Sequence, residues 1–279
     1  MADGRSVTLH GVGEAVTPIG CGPSLTSSKG GVQVNSNRKI AVVAGVFFIV
    51  AAVASIVALA LYDAVLNHPH YIVGSGGDNR VLLGTFFELI LAISVIGTAV
   101  TLYPIVKRQH EGFAVGYVAG RVLEAVVIVV GIISLLAVVT LRQDLAGATG
   151  ANATSLVTVG KSLVAIHDWT FLFGPNFAIG VNTLLLAYLM YRSRLVPRSI
   201  AVLGLIGGPM VFASATAVLF GLYEQISAWG AIAAIPVFAW EMSLAVWLIV
   251  KGFKPSPITS GESRHAVHEG RPALAAAAG

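Results

Sequence analysis

Six long apolar stretches constrain the fold of this chain more than any other feature. They occupy residues 40–62, 81–105, 113–140, 166–191, 199–223 and 228–250. About 20 apolar residues in a helix cross the hydrocarbon core of a bilayer. Backbone groups in that core must find partners within the protein, and a helix provides them within one segment. The sequence therefore predicts an all-α bundle of six transmembrane helices over residues 38–254.

The composition agrees with lipid as the main solvent. Hydrophobic residues make up 56% of the chain and charged residues 11%, whereas soluble domains carry about 25% charged residues. The net charge of +4 comes from basic residues that flank the apolar stretches, so we expect a lipid bilayer and no nucleic acid as partner. Cys21 is the only cysteine, which excludes an intramolecular disulfide and a cysteine-based metal site. No HExxH, GxSxG or P-loop motif occurs, and no cofactor is predicted.

The ends of the chain differ from the apolar region. Residues 1–37 are rich in Gly, Ser, Thr and Asn, and residues 255–279 end in an alanine-rich run. Both segments lack apolar periodicity, so we predict two disordered tails.

Lysine and arginine predict the orientation of the bundle. By the positive-inside rule the basic ends are cytoplasmic, so both termini should lie on the cytoplasmic side of the cell (plasma) membrane. Tyr62 and Trp169 fall at predicted outer helix ends, where rings favour the headgroup level. The predicted inner ends carry Arg38, Lys39, Lys107, Arg108, Arg192, Arg194, Arg198, Lys251 and Lys254, and the outer ends carry Arg80, Arg142 and Lys161.

The stretch GRVLEAVV (120–127) places two opposite charges inside the third apolar segment. Arg121 and Glu124 are three residues apart and can pair on one helix. Each costs about 3 kcal/mol near the centre of a membrane helix, which indicates that the pair is retained for packing or for function. Glycines recur every four residues before Glu124, at Gly112, Gly116 and Gly120, and such a stripe lets another helix approach closely.

Other polar residues fall at similar depths. Glu88, Glu241, Asn176 and Asn182 all lie within predicted helices and should face the bundle interior. Pro175 cannot donate to the carbonyl of Phe171, so a kink or a free carbonyl is expected there. Three glutamates face one arginine in this region. Because burial and neighbouring carboxylates favour the neutral form of a carboxyl, at least one glutamate should be protonated at neutral pH.

These residues support three functional hypotheses. The first is a small-solute or ion transporter, coupled to protons through the buried carboxyls and forming a homo-oligomer. The second is a non-enzymatic accessory or sensory membrane protein in which the charges hold helices together. The third is an intramembrane enzyme. It would use His167, Asp168 and the glutamates. Separately, His68, His70, His167 and Asp168 could hold a metal ion, but solvated loops and a helix cap from Asp168 account for these residues better.

Four segments resemble one family of prokaryotic membrane proteins, domain of unknown function 4386. They are ELILAISVIGTAVTLYPIVKRQHEG, HDWTFLFGPNFAIGVN, YRSRLVPRSIAVLGLIGGP and WEMSLAVWLIVKGF. The resemblance covers roughly residues 38–254. It implies an integral membrane protein of bacterial or archaeal type and transfers no site residue.

Overall fold

A computed structural model describes residues 29–68, 70–74, 77–145, 149–256 and 259. Its elements are helices, joined by short turns. The α-helices of this described part are α1 (Lys29–Leu61), α2 (Asp63–Leu66), α3 (Asp78–Val106), α4 (Glu111–Asp144), α5 (Ala151–Leu172), α6 (Ile179–Ser193), α7 (Arg198–Leu219) and α8 (Ala228–Val250). A 3-10 turn covers Tyr71–Val73, and a π-helical turn, Phe173–Ala178, joins α5 to α6.

Six helical segments of the described chain are long and apolar enough to cross a membrane. They are Ser36–Leu61 of α1, α3, α4, the continuous segment Ala151–Ser193, α7 and α8, and we call them the six spans. The predicted all-α class and the number of spans are therefore confirmed. The protein is a multi-pass membrane protein that associates with a lipid bilayer.

Some helix boundaries differ from the sequence prediction. Helix α1 begins at Lys29, so residues 29–37 continue the first helix, whereas we predicted a tail. Extending an existing helix adds one hydrogen bond per residue and avoids the cost of a new nucleus. Helix α7 ends at Leu219, four residues before the predicted boundary at 223, where Gly221 adopts a left-handed φ of 72°. The rest of both predicted tails lies almost entirely outside the described residues.

The fourth span is longer than predicted. It begins at Ala151, whereas the apolar pattern indicated 166. The added segment is polar, but its hydroxyl groups are satisfied within the helix. Thr154, Ser155, Thr158 and Ser162 each donate to the carbonyl four residues earlier, at 3.0–3.4 Å. Such local bonds let a polar sequence remain helical in an apolar setting.

The six spans pack as a closed ring around a common centre. Each packs against the next in the chain, and α8 returns to α1. Helix α6 also packs against α4, along the predicted glycine stripe, and α7 approaches it closely from another side. A Cβ atom added to Gly208 would lie 2.8 Å from the carbonyl oxygen of Gly180, so only glycine permits this approach.

Both described chain ends lie at the same end of the bundle, which we call the terminal face; the opposite end is the far face. Arg38, near the start of α1, donates to the carbonyls of Leu248 and Ile249 at 3.0 and 2.7 Å. These carbonyls belong to the last turn of α8, where they lack helical partners. That the terminal face is cytoplasmic stays a prediction from the basic residues.

Candidate functional site

A cavity of about 270 Å³ lies inside the ring and is the candidate site. Every span contributes to its lining, mostly with apolar side chains. Two groups of polar residues interrupt this wall. One group contains the predicted arginine and lies nearer the terminal face. The other contains a histidine and lies nearer the far face.

The arginine cluster consists of Arg121, Glu124, Asn182 and Glu241, from α4, α6 and α8. Its centre is Arg121, which is 3% exposed. The guanidinium Nη1 donates to Oε2 of Glu124 at 3.3 Å, and Nη2 donates to Oε1 of Glu241 at 3.0 Å. The structure thus has the intrahelical pair predicted from the spacing. It adds a second carboxylate, from a helix 120 residues away in sequence.

Asn182 completes this cluster from α6. Its Nδ2 donates to Oε2 of Glu124 at 2.8 Å. Its Oδ1 is buried without a hydrogen-bond partner and lies against Gly120, where a Cβ atom would collide with it. The glycine stripe therefore has a specific use, because it makes room for the amide that binds the Glu124 carboxylate.

Aromatic rings surround the guanidinium of Arg121. Its carbon lies 5.9 Å from the ring centre of Phe48 and 5.6 Å from that of Tyr117. The Tyr117 hydroxyl in turn lies 3.3 Å from the hydroxyl of Thr98 on α3. These contacts stabilise a cation away from water and tie α1 and α3 to the cluster.

The histidine cluster consists of Tyr62, Glu88 and His167. Tyr62 directly follows α1, Glu88 belongs to α3 and His167 belongs to α5. The Tyr62 hydroxyl donates to Oε2 of Glu88 at 2.7 Å. Nε2 of His167 lies 3.8 Å from Oε1 of Glu88, and its buried Nδ1 lies 3.6 Å from Asp168, beyond hydrogen-bond distance. Burial and then the neighbouring Glu88 carboxyl raise the pKa of Tyr62, so Tyr62 remains a neutral donor.

Tyr62 was not predicted to belong to this site. Its position at a helix end suggested a ring at the headgroup level, but the side chain is 1% exposed and points inward. Gly84 on α3 makes this possible, since a Cβ there would lie 2.5 Å from the Tyr62 ring. The one sequence feature that indicates this contact is Gly84, which lies one helical turn before Glu88.

Asn176 lies in the π-helical turn at the wall of the cavity. Its Nδ2 donates to the carbonyl of Phe171 at 3.0 Å. That carbonyl is the one that Pro175 leaves without a regular helical donor. The amide therefore replaces a backbone hydrogen bond, and the π turn places Pro175 and Asn176 together against the cavity.

The four residues of the metal hypothesis do not form a single cluster in the structure. Within the described part of the chain, no group of three or more His, Cys, Asp or Glu side chains could hold a metal ion. His167 faces the central cavity, whereas His68 lines a separate cavity with Asp168, and His70 is exposed. The geometry gives this hypothesis no support.

A separate ion pair fastens the turn between α1 and α3 to α4. Arg142 binds Asp78 and donates from Nη2 to the carbonyl of Gly74 at 3.0 Å. Its guanidinium also lies 4.8 Å from the ring centre of Tyr71. Burial raises the pKa of Tyr71, and the Arg142 charge partly opposes this. Arg142 thus has a structural role in addition to its predicted place at an outer helix end.

The fold and the site define a class: a multi-pass helical membrane protein with charged residues in a cavity between its spans. The chain belongs to the family described as Domain of unknown function (DUF4386), whose family model matches residues 43–252. The matched region includes both polar clusters, and the resemblance seen in the sequence is thereby confirmed. Neither the curated proteins nor the solved structures compared with the chain include a match.

Proposed function

We propose that this protein is a small-solute or ion transporter whose binding site is the central cavity, coupled to protons through the buried carboxyls. The observation that carries the proposal is the arginine cluster. It lies at the wall of the central cavity, and its formal charges do not cancel.

Because its charges do not balance, the arginine cluster responds to protons and ligands that bind in the cavity. Arg121 contributes one positive charge, while Glu124 and Glu241 contribute two negative charges when both are ionised. An uncompensated charge away from water is costly, so a bound proton or a cationic ligand stabilises the cluster. Exchange of one for the other would couple ligand binding to proton release.

The fourth span supplies a place where the helices can move. Its π turn interrupts the regular hydrogen bonding beside the cavity, and such turns occur frequently at functional sites. The neighbouring α6 packs on glycines of α7, which allow close contact without interlocking side chains. We place alternate opening of the cavity at this span.

Proteoliposomes containing a pH-sensitive dye test the proposal. A panel of small amines, alkali cations, carboxylates and sugars is added outside, and the internal pH is followed. We expect at least one solute to move protons through the wild type but not through Glu241→Gln. Glu111→Gln is the matched control, because Glu111 is exposed in the first turn of α4 and should transport normally.

The accessory or sensory alternative also has one observation in its favour. Both carboxylates of the arginine cluster have partners within the protein, as expected if the cluster serves to hold α4, α6 and α8 together. In that case no solute in the panel moves protons, and Glu241→Gln resembles Glu111→Gln in every liposome assay.

We place the protein in the plasma membrane of a prokaryotic cell and propose that it works as a homo-oligomer. Crosslinking in native membranes, followed by mass determination, tests the second point. A product at only the monomer mass at every crosslinker concentration would contradict it.

A further inference from the structure

Helices α1 and α8 are in close contact near the terminal face, and the contact between them opens toward the far face. Near the terminal face a Cβ atom added to Gly45 would lie 2.7 Å from the carbonyl oxygen of Ala245. Farther along, residues of both helices line the cavity and yet remain open to the outside. Ile56 on α1 is 59% exposed and Phe238 on α8 is 51% exposed, and both line the cavity.

Small side chains account for this gap. Ala51, Ala52 and Ser55 face the cavity from α1, and the exposed Ala234 faces it from α8. Both helices belong to membrane spans, so the gap faces the hydrocarbon core and not the aqueous phase. A molecule dissolved in the bilayer therefore has a route into the cavity that a strongly hydrated solute lacks.

The charged side chains inside the cavity favour a positively charged ligand over a negatively charged one. Glu241 lies on the same helix as the gap, and its side chain is 14% exposed, against 3% for Glu124. The cluster has one carboxylate more than it has guanidinium groups, which favours a cationic ligand.

We propose that the cavity takes a membrane-dissolved organic cation, an amine with an apolar tail, which passes between α1 and α8 and places its ammonium group at Glu241. The inference rests on the proposed function and names its substrate class. The apolar wall receives the tail. His167 and Asn182, one from each polar cluster, are 15 residues apart on the fourth span, so the clusters lie roughly 20 Å apart along the bundle at 1.5 Å per helical residue. A short alkyl chain fits between them.

Binding of a matched pair of amphiphiles tests the proposal. Octyltrimethylammonium and octane-1-sulfonate share their tail and differ in the sign of the head. Each is titrated calorimetrically into the full chain in lipid nanodiscs, with empty nanodiscs subtracted. We expect saturable binding of the ammonium, at least about tenfold tighter than of the sulfonate, because close charge pairs away from water are worth more than the 1.4 kcal/mol of a tenfold change.

Two variants separate the cluster from the gap. Glu241→Gln should weaken ammonium binding at least about tenfold, and Glu241→Asp should restore part of it. Ile56→Trp fills the gap without changing a charge and should reduce binding similarly. Its control is Val53→Trp, since Val53 is 54% exposed on α1 but does not line the cavity. Equal binding of both amphiphiles, or wild-type binding by Glu241→Gln or Ile56→Trp, would overturn the proposal.

The two proposals fail in different ways. If protons move with another solute while the ammonium does not bind, the substrate class is wrong and the transporter stands. If the ammonium binds at Glu241 without moving protons in liposomes, the site stands and the transporter is wrong.

Discussion

Arg121 is the residue on which the charged centre of the bundle depends. It binds Glu124 on its own helix and Glu241 on α8, at 3.3 and 3.0 Å. Without the guanidinium, two carboxyls would face each other where water is scarce. Without Glu241, Arg121 still has Glu124. Removing one carboxylate should therefore cost less stability than removing the guanidinium that both carboxylates share.

Arg121→Gln should lower the free energy of unfolding by about 3–5 kcal/mol, the usual cost of breaking a buried pair by removing one partner. Glu241→Gln should cost clearly less. Unfolding in mild detergent at pH 7 measures both. Lys107→Gln is the control, because Lys107 is exposed at the terminal end of α3 and should change stability by about 0.5 kcal/mol or less. If Arg121→Gln and Glu241→Gln lowered the free energy of unfolding equally, the central role of Arg121 would be contradicted.

At the scale of elements, the packing contact between α4 and α6, which we call the seam, depends on Gly120 more than on Gly116. A Cβ atom on Gly120 would collide with Oδ1 of Asn182, whereas one on Gly116 would lie 3.7 Å from Leu185, an ordinary contact. The two positions are one helical turn apart and belong to the same stripe. They form a matched pair for substitution.

Gly120→Ala should destabilise the protein by about 1–3 kcal/mol, because it overpacks the seam and displaces Asn182 from Glu124. Gly116→Ala should be neutral or slightly stabilising, since alanine favours helices. The comparison is made by unfolding in detergent. Similar effects of both substitutions would mean that helix packing, and not the Asn182–Glu124 bond, sets the requirement for glycine.

In the fourth span, a side-chain hydrogen bond from Asn176 takes the place of a backbone hydrogen bond. Asn176→Ala should cost about 1–3 kcal/mol, because it leaves the Phe171 carbonyl without its amide donor. In a Pro175→Ala background the backbone regains an N–H group that can serve this carbonyl, so the same substitution should cost less. A double-mutant cycle measures the difference. Identical costs in both backgrounds would show that the two residues act independently.

At the scale of the whole molecule, the even number of spans places both described chain ends at one face, and closure of the ring brings α1 and α8 into contact there. Arg38 joins the start of α1 to the end of α8 there. The side of the membrane on which this face lies follows only from the basic residues. Cys21, the only cysteine, precedes the first span and reports on this side directly.

Cys21 should react with a membrane-impermeant maleimide in inside-out vesicles and resist it in intact cells. Mass spectrometry detects the adduct. In a Cys21→Ser background, Thr149→Cys should show the opposite pattern, since Thr149 is exposed beyond the far end of α4. Labelling of Cys21 in intact cells would reverse the predicted orientation.

The sequence predicted those parts of the site that depend on a single helix. The spacing of Arg121 and Glu124 predicted their pair, and Pro175 predicted the free Phe171 carbonyl, because such relations repeat with the helical turn. It did not predict that Tyr62 turns inward to Glu88. Ring direction at a helix end depends on the neighbouring helix, and only Gly84 makes room for it.

The sequence by itself determined the solvent, the helical class and the number of spans, since the transfer of apolar residues into lipid and the backbone hydrogen bonding of a helix are local properties. Only the tertiary structure decided which polar residues share a cavity. Glu241 joins Arg121 because α8 closes the ring against α1, and the far half of that junction stays open because its side chains are small. These are relations between segments far apart in the chain, fixed by packing and not by local pattern.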